Sequence, residues 1–145
     1  MSKRVRIKVR FDYRGKNKSQ KGLFRSKSVE QVAESVREQK VALLRNVPMQ
    51  GIHIEDIDMS GDIYTVYDDF TGSAVGYAPV VITVSCDTLD DAMRFVMKEE
   101  FRKVEVLEPE EITLNKIEIE RLLFHVNEEL KAYKAYLEKK MEYWK

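Results

Sequence analysis

One stretch constrains the fold more than any other: Val80 to Pro109, VVITVSCDTLDDAMRFVMKEEFRKVEVLEP, reads as strand, helix and strand in one short run. Val80, Ile82, Val84 and Cys86 alternate with Val81, Thr83 and Ser85, the period of two expected of an extended strand. Asp87 is placed to accept from the free N–H groups of a helix start, and Asp90 and Asp91 fall where the helix dipole favours negative charge. Leu89, Ala92, Met93, Val96 and Met97 recur at helical spacing and give that helix one apolar stripe. A second strand is expected over 104–107, and Pro109 cannot continue its ladder.

The chain before this unit supplies strands for it to pair with. From Arg4 to Tyr13, Val5, Ile7, Val9 and Phe11 point one way and Arg4, Arg6, Lys8 and Arg10 the other. Arg14 to Lys27 reads as a basic loop, and Gly15 and Gly22 lack the spacing of a phosphate cradle. Ser28 with Gln31 forms a capping box that opens a helix. Val29, Val32, Ala33, Val36, Leu43 and Leu44 make its apolar face, and Pro48 marks its stop. A β-meander follows over 49–86. Ile52, Ile54, Ile57 and Met59 alternate with a slip at Glu55–Asp56 that implies a bulge. Ile63 to Tyr67 is a strand between turns at Ser60–Gly61 and 69–72.

After Pro109 the sequence turns helical. Asn115 and Glu118 form a second capping box, and Ile119, Leu123, Val126, Leu130, Tyr133, Leu137, Met141 and Trp144 then step by threes and fours, close to a heptad seam. Thirty helical residues reach roughly 45 Å, about twice the width of a four-stranded sheet. The body is therefore expected to cover the helix's first half. Its second half, Val126, Leu130, Tyr133, Leu137, Met141 and Trp144, is the candidate homodimer seam.

The element order is β, α, β, an extra hairpin strand, β, α, β and a last helix. That is an α+β chain with the split βαβ order of a ferredoxin-like antiparallel sheet. A length of 145 residues fits a single domain, with its core in 3–108 and the C-terminal helix in 109–145.

Net charge is zero, yet the charge is segregated along the chain. Residues 1–27 hold eleven Lys or Arg against Asp12 alone, whereas residues 46–91 hold nine Asp or Glu and no base. Two readings stay open: basic and acidic surfaces that neutralise each other or stay solvated, which is favoured, or a polyanion site. The second would use Arg4, Arg6, Lys8, Arg10, Lys16, Lys18, Lys21 and Arg25, with Tyr13 and Phe24 as stacking groups for nucleic acid.

Catalytic ingredients are thin. His53 and His125 stand on separate elements, and H-E-x-x-H and C-x-x-C are absent. The acids Glu55, Asp56, Asp58, Asp62, Asp68 and Asp69 do not follow the EF-hand pattern and suit hairpin turns. The expectation is a protein without catalytic residues, metal or cofactor. Cys86 is the only cysteine and reads as a small buried residue. No run of 18 apolar residues and no secretory signal are found, so a cytoplasmic protein without membrane contact is expected.

At the level of motif, residues 80–135 resemble a known family. Leu89–Asp90–Asp91–Ala92 through Arg94, followed by Val104–Glu105–Val106–Leu107–Glu108–Pro109–Glu110–Glu111, is similar to the C-terminal (WCX) extension of WYL-domain transcriptional regulators. The resemblance implies a ferredoxin-like regulatory module that binds a ligand or dimerises. In that family the region lies near the effector site and between subunits, with nucleotides and single-stranded nucleic acid among suspected effectors. Those regulators carry a helix-turn-helix and a WYL barrel ahead of this extension. Neither is in this sequence, which implies a separate transcriptional regulator as partner. No effector-binding residue carries over.

Overall fold

The alternation at the start of the chain becomes one long strand, β1 (Val5–Gly15). In the computed structural model, which describes residues 3–16, 28–67 and 69–142, it is followed by α1 (Val29–Asn46), β2 (Ile52–Asp58), β3 (Tyr64–Tyr67) and β4 (Ala74–Cys86). Then come α2 (Leu89–Val96), β5 (Phe101–Glu108) and α3 (Lys116–Glu142). The fold is α+β, with three helices and a five-stranded antiparallel sheet. The strand order is β2-β4-β1-β5, and β3 pairs with the first part of β4.

One face of the sheet carries the core. Val5, Ile7, Val9, Phe11 and Tyr13 of β1 share it with Val80, Ile82, Val84 and Cys86 of β4. Val41 of α1 and Ala92 and Phe95 of α2 close over them, so both helices cover the same side. Period-two alternation puts every second residue of β1 and β4 under the helices and leaves the intervening ones outside. The bulge expected at Glu55–Asp56 is present as a register shift between Ile54 and Asp56. It keeps Ile57 opposite Ile82 on the core side.

Local chemistry explains the helix starts. The Ser28 side chain accepts from the Gln31 N–H while the Gln31 side chain accepts from the Ser28 N–H. For α2 the cap is Thr88, not Asp87. Thr88 is extended and its hydroxyl accepts from the Asp91 N–H, whereas Asp87 is still tied by its own N–H to the Gly51 carbonyl. At α3, Asn115 Oδ1 accepts from Glu118 N at 2.8 Å, and Glu118 Oε1 accepts from Asn115 N at 3.3 Å.

The meander and α1 differ from the expectation in detail. β4 begins at Ala74, β3 at Tyr64, and β5 runs from Phe101 to Glu108. Within α1, Val41 and Arg37 turn inward while Leu43 lies 57% exposed. A Cβ on Gly15 would sit 2.2 Å from the Ala33 amide nitrogen, so the first turns of α1 rest directly on the strand backbone.

Arg37 holds a joint that the helical pattern hides. Asp12 sends its N–H to the Glu100 carbonyl on the β5 side, so its partner Pro79 points its own carbonyl the other way, toward the β2/β3 edge. There β2 and β3 share β4 end to end, with Ser60–Gly61 between them. A proline fits this gap because no N–H is needed. The Arg37 guanidinium donates to the Pro79 and Gly61 carbonyls at 3.0 and 3.1 Å.

Candidate functional site

The helix-free face of the sheet collects the charges that the sequence separates. Arg4, Arg6, Lys8 and Arg10 all stand on it, as β1's alternation requires. Arg6 Nε donates to Glu55 Oε2 of β2 at 2.6 Å and its Nη1 lies 3.8 Å from Glu108 Oε1 of β5. The hydrogen bond to Glu55 raises the Arg6 pKa. The Arg4 guanidinium lies 3.7 Å from Asp87, which also holds His53 Nε2 at 3.0 Å. Lys8 stands beside Glu105 of β5 in the ladder and near Asp58 of β2, whose own pKa is lowered chiefly by its hydrogen bond from the Ser60 hydroxyl. The basic strand thus lies between acids delivered from both sides.

A second cluster was not anticipated. Asp12 is 2% exposed at the far end of this face. Its carboxylate accepts from Arg10 Nε at 2.8 Å, from Arg10 Nη2 at 3.1 Å and from the Tyr64 hydroxyl at 2.5 Å. Arg102 lies 3.6 Å away and caps the Tyr77 ring, which stacks on Tyr64. Burial, then the hydrogen bond to Asp12, pushes the Tyr64 pKa up. The legible signal is that Asp12 is the one acid among the first 27 residues, at the outward position following Arg10.

The C-terminal helix behaves differently. α3 buries no residue at all. Lys3 pairs with Glu118 near its start, and His125 Nδ1 meets Asp90 Oδ2 of α2 at 2.6 Å. Glu118, Leu122, His125 and Glu129, spaced four, three and four apart, are its partly covered residues. The apolar seam is the neighbouring stripe: Ile119, Leu123, Val126, Leu130, Tyr133, Leu137 and Met141 are all exposed, Leu130 at 60% and Met141 at 70%. The body was expected to cover the first half of this seam, but it does not. The His125–Asp90 contact turns a different stripe inward and leaves Ile119 and Leu123 facing out.

Of the remaining candidate residues, Lys16 is exposed just beyond β1, while Lys18, Lys21, Phe24, Arg25 and Trp144 lie outside the described residues. Tyr13 is buried under the helices, on the opposite face from the arginines, so it offers them no stacking surface. Cys86 is fully buried, and burial pushes its thiol up to about 11. Among the described residues no three His, Cys, Asp or Glu side chains stand together as a metal site. No described helix is long and apolar enough to cross a membrane. No protein-family model, curated protein or solved structure matches this chain.

Proposed function

We propose that this chain is a non-enzymatic regulatory or ligand-binding module of the cytoplasm that forms a homodimer through α3. The observation that carries the proposal is the open seam. Leu123, Leu130 and Leu137 repeat every seven residues, as do Ile119, Val126 and Tyr133, and all are exposed on one helix. Every residue of 130–142 is exposed, Leu130 at 60%. A helical segment of that length is marginal in water without tertiary packing. A contiguous apolar stripe of this size marks an interface. Glu129 and Lys134 flank it on opposite sides, where parallel partners attract each other across a heptad seam. A second copy of the same helix satisfies both the shape and the charge.

The order β1-α1-β2-β4-α2-β5, with β3 set aside, supports a ferredoxin-like split βαβ arrangement. Together with the run from Val104 to Glu111, it supports the likeness to the sensory extension of WYL-type regulators, and hence work beside a separate transcriptional regulator. Light scattering tests the dimer. Wild-type protein is expected at twice the chain mass, and Leu130→Glu plus Leu137→Glu at the single-chain mass with the body still melting cooperatively. An unchanged mass in the double variant, or a wild type already monomeric, overturns the proposal. The runner-up is a nucleic-acid binder using the β1 cations. Its support is the basic segment 1–27, and it predicts affinity that falls steeply with salt.

A further inference from the structure

A hollow of about 300 Å³ opens on the helix-covered side of the sheet, between the C-terminal ends of α1 and α2. Phe11 and Tyr13 of β1 line it together with Phe95 of α2. The Phe11 ring lies 6.3 Å from that of Tyr13 and meets Phe95 edge-on at 5.6 Å. These three rings are buried, so regular strand and helix fix this part of the hollow. Leu44 lines it from α1, and Leu43 and Val47 stay 57% and 52% exposed beside it.

Its polar groups are few and mostly of one kind. Lys40 comes from α1 and Lys98 from just beyond α2, and neither makes an ion pair among the described residues. The Tyr13 hydroxyl makes no hydrogen bond among the described residues either; burial, then the nearby Glu100 charge, holds its proton on. Glu100 is the one acid in the lining. Two solvent-exposed lysines at the rim and the Tyr13 hydroxyl suit an acceptor carrying one negative charge, because hydrogen bonds to a charged acceptor are the stronger ones. The volume is at the low end of ligand pockets.

We propose that this hollow binds a small amphipathic carboxylate, its apolar body against Phe11, Phe95 and Leu44 and its carboxylate between Lys40 and Lys98, with Tyr13 donating. The proposal rests on the ligand-binding half of the function above and is independent of the α3 seam, which contributes no lining residue.

Decanoate, kept below its micelle concentration, is the probe. It is titrated into the full chain and followed by calorimetry and by amide chemical shifts. Expected is saturable binding with one site per chain and shifts at Phe11, Leu44 and Phe95. Lys40→Gln plus Lys98→Gln weakens it about tenfold, the scale of two lost solvent-exposed charge contacts. Leu43→Glu, an exposed position, weakens it likewise without changing the melting temperature. Decanol and decyltrimethylammonium bind less tightly than decanoate. The proposal is overturned by an absence of saturable binding, by equal affinity for decanol, by unchanged affinity in the lysine variant, or by shifts confined to α3. Masses measured on the same samples report on the dimer separately, so either reading can fail alone.

Discussion

β1 and α3 each carry a surplus, and the molecule treats the two in opposite ways. Arg4 and β1 bring outward cations; Glu55, Asp58, Glu105 and Glu108 of neighbouring strands meet Arg6 and Lys8, while Asp87 and Asp12 meet Arg4 and Arg10. α3 brings seven described seam residues, and all of them stay exposed among the described residues. Charges on long side chains can be satisfied by acids two strands away. Apolar area can be satisfied only by contact, and α3 spends its contact with the body on Glu118, Leu122, His125 and Glu129 instead. The chain balances much of its own outward charge and leaves an apolar seam open.

The sharpest way to break this comparison is to make similar truncations in both regions. Ile82→Ala, at a fully buried site, is expected to cost about 3 kcal/mol in denaturant unfolding. Leu130→Ala is expected to leave unfolding of the body unchanged and to weaken association in sedimentation. A comparable loss of body stability at Leu130 would make α3 part of the core and remove the contrast. Asp12→Ala should come next, at about 2 kcal/mol in the same unfolding assay, since Tyr64 and Arg10 lose a buried acceptor. A neutral result would mean that the sheet's charge lattice contributes little even where it is dry.

A smaller effect is expected from Arg6→Gln plus Lys8→Gln. Anisotropy of labelled single-stranded RNA and DNA, at low and at physiological salt, should not change with this pair of substitutions if β1's charge is neutralised internally. Salt-steep binding that disappears with them would reverse the contrast and promote the nucleic-acid function. The smallest effect concerns pH. The hydrogen bond from Lys3 is the main cause that holds the Glu118 carboxyl below its usual value of 4.5. Its contribution to anchoring α3 is therefore complete above pH 4.5 and is lost as pH falls through the lower folded value. Amide shifts of Asn115 and Glu118 should move in that window ahead of those in β4; simultaneous movement would mean that α3 has no separate anchor.

Much of the frame is legible in the sequence where local rules act alone. The Ser28–Gln31 and Asn115–Glu118 boxes, the Glu55–Asp56 bulge and the alternation over 80–86 each follow from a few adjacent residues. The first half of β4 is not legible, because Gly76, Ala78 and Pro79 are poor strand formers chosen for tertiary reasons. A Cβ on Gly76 would lie 2.4 Å from the Val29 carbonyl oxygen, and Pro79 fits an edge where no N–H is wanted. Arg37 looks like an outward residue, and only the Gly61 and Pro79 carbonyls make its burial tolerable. On the candidate site, charge segregation can be read directly, but the pairing cannot: Arg6 and Glu55 are 49 residues apart. The heptad seam is visible as a pattern, yet which stripe of α3 turns inward depends on distant contacts, Lys3 with Glu118 and Asp90 with His125 among them.

Cys86 has a practical consequence. It sits between Val5 and Ile52 in the ladder, has no exposed surface, and holds its proton up to about pH 11. A thiol reagent therefore meets a reactive sulfur only when this end of the sheet opens. Alkylation of wild-type protein runs as a clock for opening at this end of the sheet, with one tick per chain. A cysteine introduced on the outside of α3 takes label selectively at native pH, with the native thiol left in place.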